Sequence, residues 1–196
     1  MTILRAFIAI EIPQSIQAAI QNETLDLPSS ADDSLVRWVA PANVHLTLKF
    51  LGDVSITNLQ FIKQMLIQEC AQHPAFDLQI GKLGSFPTPK RPRVIWVGVQ
   101  APPEFDKLQQ AIESGTTRLG YTPETGSFSP HLTIGRVRQN LTDSGMQKLR
   151  AALTSNHIGT IGAVKVNAVH LYKSDLQPAG SVYTRLSSAP LKGPMR

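Results

Sequence analysis

His45-Leu46-Thr47-Leu48 and His131-Leu132-Thr133-Ile134 decide how this chain is read. Each places one apolar residue between a histidine and a threonine and another after the threonine. In a β-strand, alternate side chains share a face. His45 and Thr47 then point one way, and Leu46 and Leu48 the other. His131 and Thr133 stand likewise against Leu132 and Ile134. Each strand is expected to bury its aliphatic face and to present a His/Thr pair opposite. If the two strands face each other, two imidazoles and two hydroxyls converge on one small volume suited to a phosphate.

The sequence around each motif repeats the same mixture of elements. Before the first motif, Leu4–Ile12 is rich in β-branched and aromatic residues and reads as a strand. Pro13 suits the first turn of a helix, with Ile12, Ile16, Ala19 and Ile20 as its buried stripe. Leu27–Ser34 reads as a loop, Val36–Val39 as a short strand, and Pro41-Ala42-Asn43 as the bend into the strand His45–Phe50. Gly52-Asp53 is expected to end that strand. Thr57 is expected to cap a helix reaching about Gln72, with Leu59, Ile62, Leu66 and Cys70 inward.

Strands are expected at Phe76–Phe86 and Arg93–Val99, joined by the basic, proline-rich connection Pro87–Pro92. Pro103 opens a helix with the stripe Phe105, Leu108, Ile112 and Leu119, and Gly120 stops it. Gly126–Pro130 leads into the second motif strand, His131–Val137. Thr142 caps a further helix with Met146, Leu149 and Leu153 inward. Ile158–Tyr172 and Val182–Leu186 alternate well enough for two or three strands, and Pro190–Arg196 reads as a frayed tail. Helices and strands mix without strict βαβ alternation. The expected fold is therefore α+β, with largely antiparallel sheets and outer helices. One motif in each half points to a single bilobal domain over residues 1–196, with a pseudo-two-fold axis and a central cleft.

Composition narrows the function classes. The 196 residues are 42% hydrophobic and 17% charged, enough for a sizeable core and too apolar for disorder. A formal net charge of +5 and an isoelectric point near 9.6 tilt the partner toward anions. Cys70, the single cysteine, allows no internal disulfide and fits a reducing, cytoplasmic setting; on a helix it reads as a buried thiol. No run approaches the roughly 20 apolar residues of a membrane span. His73, His157 and His170 lack ligand spacing to one another or to cysteine, so no metal site is expected.

Imidazole titrates near neutral pH. A pair can divide labour, one ring acting as general base and the other, protonated, as general acid. Set on opposite sides of a phosphorus, they would activate a water and protonate the departing oxygen. The Thr47 and Thr133 hydroxyls would donate to non-bridging oxygens as charge develops there. That scheme calls for no cofactor. One His-x-Thr on a strand is commonplace, but two with the same apolar spacing are not. The sequence is symmetric about which histidine does which job.

The extended motifs are more specific. His45-Leu46-Thr47-Leu48-Lys49-Phe50-Leu51-Gly52 and Phe128-Ser129-Pro130-His131-Leu132-Thr133-Ile134-Gly135-Arg136 resemble those of the 2H phosphoesterase superfamily. Arg5–Ile10, Val36–Val39 and Leu171–Ser174, with Gly180 and Tyr183, resemble more closely its RNA 2',3'-cyclic phosphodiesterase branch, also called 2'-5' RNA ligase. The resemblance spans nearly the whole chain; Ile134, where leucine is usual, is a small departure.

The resemblance implies metal-independent opening of RNA 2',3'-cyclic phosphate ends, of tRNA fragments among others, or of small cyclic nucleotides, to 2'-phosphates by a monomer. By family convention His45 is the proton donor to O3' and His131 the acceptor. Reverse 2'-5' ligation is a side activity of the same chemistry, and a non-catalytic module holding an RNA end is the competing reading. Lys49 shares the parity of His45 and Thr47 and is expected on the cleft face. Arg136 suits phosphate but falls on the opposite face by strict alternation, unless the strand bends near Gly135. Trp38 and Phe128 are the candidate base-stacking platforms.

Overall fold

The computed structural model describes residues 3–27, 31, 34–177 and 180–193. In chain order these form β1 (Ile3–Glu11), α1 (Gln14–Glu23), β2 (Val36–Trp38), a 3-10 turn (Pro41–Asn43), β3 (His45–Ser55), α2 (Ile56–Cys70), β4 (Phe76–Thr88) and β5 (Arg91–Gln100). There follow α3 (Pro103–Arg118), β6 (His131–Val137), α4 (Asp143–Ser155), β7 (Thr160–Val166), β8 (Ala168–Gln177) and β9 (Gly180–Pro190). The strands make two antiparallel sheets, one ordered β3-β1-β8-β9 and the other β2-β6-β5-β4-β7. The α+β architecture read from the sequence is the one observed.

Apolar alternation explains where the core sits. Leu46, Leu48 and Leu51 of β3, Leu132 and Ile134 of β6, and Ala6, Ile8 and Ile10 of β1 join one buried cluster. The helices add the expected stripes, among them Leu59, Ile62, Leu66 and Cys70 of α2 and Phe105, Leu108 and Ile112 of α3. Each fully buried Leu or Ile contributes about 1.5–3 kcal/mol of transfer free energy, so this shared cluster is what holds the two sheets together. Because β1 is an inner strand, its other face is covered too: Phe7 and Ala9 are buried beneath the aromatic side of the sheet. The two motif strands belong to different sheets, and β3 lies against β6.

Several boundaries differ from expectation, each for a local reason. β3 does not stop at Gly52-Asp53 but pairs with β1 as far as Ser55 opposite Ile3. The next helix therefore starts at once, and Ser55, not Thr57, is its cap: its hydroxyl accepts from the Asn58 amide at 3.2 Å. The proline-rich connection is itself the end of a hairpin, with both strands running further into it than expected. Pro87 faces Pro92 and Thr88 faces Arg91, so two residues without N–H groups meet where the ladder shifts register. The last strands are three, within the two or three expected. Their continuation is not frayed through Lys192: the Leu191 amide donates to Asn167 and the Lys192 amide to His73, both at 2.8 Å. Thr142 caps α4 as expected, accepting from the Gly145 amide at 3.1 Å, and Gly120 (φ 90°) follows α3. Most of the loop expected at Leu27–Ser34 lies outside the described residues, as do residues 194–196. Among the described residues no helix is long and apolar enough to cross a membrane.

Candidate active site

Both motif strands carry an extra residue at the same place. Ala9 pairs with Thr47 and Ile8 with Lys49, so Leu48 is a bulge in β3. Trp96 pairs with Thr133 and Ile95 with Gly135, so Ile134 is a bulge in β6. A bulge puts two successive side chains on one side of the sheet and reverses the parity beyond it. Leu48 and Lys49 are accordingly both buried, as are Ile134 and Gly135. The next residue of each strand, Phe50 or Arg136, returns to the face that carries the histidine and threonine.

One cleft of about 130 Å³ is lined by His45, Thr47 and Phe50 from β3 and by His131, Thr133 and Arg136 from β6. Phe7, Val39, Asn43, Ser174 and Tyr183 complete its wall. The convergence expected from the two motifs is the arrangement found. The bulges also correct two expectations based on strict alternation. Lys49 does not face the cleft: it is 1% exposed, and its Nζ lies 2.6 Å from Glu113 Oε1 and donates to the Thr122 carbonyl at 2.8 Å. Arg136 does face the cleft, by the bend at Ile134–Gly135 that alternation alone does not provide. Among the described residues no carboxylate pairs with it, which leaves its guanidinium free for an anion.

The histidines are held alike. His45 Nδ1 lies 2.7 Å from the Asn43 carbonyl, and His131 Nδ1 lies 2.7 Å from the Ser129 carbonyl. A carbonyl oxygen only accepts, so Nδ1 carries hydrogen in both rings and Nε2 is left as the nitrogen that gains or loses a proton. Asn43 is itself tied down, its side-chain amide donating to the Ser181 carbonyl at 2.8 Å.

Their surroundings differ. His45 is stacked on Phe7 (4.8 Å between ring centres) and meets the edge of Tyr183 at 5.1 Å. Burial holds its pKa below 6.5, opposed by the bond to Asn43, and the Arg136 guanidinium lowers it further. That influence of a β6 cation on a β3 imidazole is a second sign of the two strands' proximity. His131 packs edge-on against Phe86 at 4.9 Å and lies 6.5 Å from the ring of Trp96.

The two candidate stacking residues are placed elsewhere. Phe128 leans on Phe105 of the core at 5.7 Å and is not in the cleft wall; its segment contributes the Ser129 carbonyl instead. Trp38 packs against the core and donates its indole N–H to the Ala31 carbonyl at 3.2 Å, beside the cleft but not in its wall. Phe50, in contrast, does line the cleft, 45% exposed and capped by the Arg5 guanidinium at 4.9 Å. Phe50 and Ser174 were not singled out from sequence. A bulge hides the parity of the first, and the second lies on β8, far along the chain from either motif.

Residues 2–178 match the family model described as the 2'-5' RNA ligase superfamily. A Methanothermobacter thermautotrophicus protein named RNA 2',3'-cyclic phosphodiesterase is 33% identical over 181 residues, covering 92% of this chain and 95% of that protein. A protein of the same name from Aquifex aeolicus is 29% identical over 196 residues, covering 98% of this chain and 100% of its own. The crystal structure of E. coli LigT complexed with 3'-AMP superposes with a TM-score of 0.75 at 26% identity, covering 97% and 99% of the two chains.

Proposed function

This chain belongs to the 2'-5' RNA ligase superfamily, the 2H phosphoesterases, and on that premise we propose that its cleft opens RNA 2',3'-cyclic phosphodiesters to 2'-phosphomonoesters. The observation that carries the reading is that one cleft is lined by both His/Thr pairs and by Arg136, which has no carboxylate partner among the described residues. Arg136 and the Thr47 and Thr133 hydroxyls bind the non-bridging oxygens, whose charge grows as water adds to phosphorus. His131 Nε2 takes a proton from the water. The bond from phosphorus to O3' breaks, and His45 Nε2 gives its proton to O3'. Burial and the Arg136 guanidinium lower the pKa of His45 and so favour its neutral form. The phosphodiester anion opposes both effects and favours the protonated ring, the form in which His45 donates to O3'. RNA ends, tRNA fragments and small cyclic nucleotides share the reacting group and are all substrates in this scheme. No step uses a metal.

Ligation uses the same groups with a 5'-hydroxyl in place of water. O5' bonds to phosphorus, the bond to O3' breaks, O3' takes up the proton, and a 2'-5' linkage with a free 3'-hydroxyl results. Water's concentration favours hydrolysis. The purified protein, incubated with 2',3'-cyclic nucleotides in EDTA, is expected to yield 2'-phosphates, resolved from 3'-phosphates by chromatography. Tight binding of those nucleotides without turnover would instead support a module that only holds RNA ends.

A further inference from the structure

The short strand β2 carries a second arginine beside Arg136. Trp38 pairs with Gly135 of β6, and a methyl group in place of the glycine's hydrogen would lie 2.8 Å from Val36 and 3.0 Å from Trp38. Val36 and Trp38 are thus on the core side of β2, and Arg37 between them turns to the other side. There it stands directly opposite Arg136 in the ladder. Both arginines line one cavity of about 290 Å³, with Asn43, Gln177, Ser181 and Tyr183. Arg136, Asn43 and Tyr183 line the catalytic cleft as well, so the two spaces adjoin along these residues. Like charges directly opposite on neighbouring strands repel. Among the described residues neither arginine has a carboxylate partner, and no carboxylate lines the cavity. The cavity beside His45 differs: there Arg185 Nη1 is already paired with Glu11 Oε2 at 2.9 Å.

A repelling pair with no counter-charge destabilises the strand pairing unless an anion joins it, and the planar guanidinium fork suits a phosphate. Charges on an edge strand are common, which accounts for the exposure of Arg37 but not for its place opposite another arginine. The reacting phosphate engages Arg136 in the cleft, and Arg37 calls for a second anion. An RNA strand supplies one. Its successive phosphates are one ribose apart, so a strand ending in a cyclic phosphate brings another phosphate close by, on O5' of the same nucleoside. We infer that the cavity of Arg37 and Arg136 holds this O5' phosphate. The inference rests on the phosphodiesterase reading of the cleft, and it ranks the substrates: RNA ends come before cyclic nucleotides that lack a phosphate on O5'.

The test compares three substrates: adenosine 2',3'-cyclic phosphate, the same compound phosphorylated on O5', and the dinucleotide that ends in it. The unaltered protein is expected to show a KM lower by about tenfold or more on the second and third, the scale of a hydrogen bond between charged groups. Their kcat is expected to match that of the first, because the O5' phosphate is held equally before and during the reaction. Arg37→Met is expected to raise both low KM values to that of the plain nucleoside substrate, which itself stays within about threefold of its starting value. Arg37→Lys keeps the charge but not the fork and is expected to fall between. Equal KM on all three substrates, or an advantage that Arg37→Met leaves intact, would overturn the inference while the phosphodiesterase reading stands. So would an advantage confined to the dinucleotide, which would mean that a second base is held, or an equal loss on the plain nucleoside substrate. Turnover of none of the three by the unaltered protein would overturn both.

Discussion

The strands His45–Ser55 and His131–Val137 are alike in motif, in bulge and in the carbonyl that holds each imidazole. They differ in what surrounds them. His45 sits in an aromatic enclosure that favours its neutral form, with Phe50 beyond its bulge. His131 sits against Phe86, with Arg136 beyond its bulge. Behind the sheet, the matching positions hold the buried cation Lys49 on one strand and Gly135 on the other. The lesson is that one strand design, used twice, places two similar imidazoles on one cleft, and the residues beyond the bulge make their surroundings unequal. In the proposed reaction Arg136 is the anion partner that Phe50 cannot be, and its guanidinium lowers the pKa of the histidine opposite.

Removing either imidazole should have the largest effect. His45→Ala and His131→Ala are each expected to lower kcat on a cyclic nucleotide by about 10²- to 10⁴-fold, the range for a general acid or base. Full activity in both variants would break the comparison at its root. Behind the sheet, Lys49→Met leaves Glu113 without its 2.6 Å partner. A loss of about 3 kcal/mol in unfolding free energy is expected, measured by urea titration. A value near zero would mean that the buried pair is no more than an alternative to apolar packing.

Beyond the bulge, Arg136→Met should cost roughly 10- to 100-fold in kcat/KM, the worth of one or two hydrogen bonds to a charged group. It should also raise the pKa of His45, since the guanidinium lowers it. An NMR titration of the His45 ring reads that shift, and an unmoved or lowered value would separate the two strands electrostatically. Phe50→Leu is expected to have the smaller effect on turnover, having no charge to lose.

The mildest effect is on stability against pH. Burial holds His45 and His170 below 6.5. The unfolded chain then takes up protons that the folded chain does not, so stability is lost as pH falls through about 6.5. Burial pushes the Cys70 thiol from 9.0 up to about 12. The unfolded thiol ionises first, so stability is lost as pH rises above about 9. Urea midpoints at about pH 5, 7.5 and 10 are expected to peak at the middle value. A midpoint still rising at the alkaline end would show that Cys70 ionises freely in the folded chain.

Much of the fold was legible because it follows periodicity. The leucines between and after the motif residues, and the stripes of α2 and α3, fall on the core as counted. So do the two His/Thr pairs on the cleft face. Period-2 reasoning fails where the period itself breaks. The bulges at Leu48 and Ile134 turn Lys49 inward and Arg136 outward, and no single residue in the sequence announces either. Pairing partners distant in the chain decide the other differences. Thr57 lost the helix cap because Ile3 holds β3 extended to Ser55. Phe128 was drawn to Phe105, whose nearness to the second motif is a tertiary fact.

The most direct test of a shared site is the double variant. If His45 and His131 serve one phosphorus, replacing both with alanine should slow the opening of a 2',3'-cyclic nucleotide by no more than about threefold beyond the slower single variant, because paired groups that act as a unit are lost together. Losses that multiply would show two independent contributions and contradict a common phosphate between them.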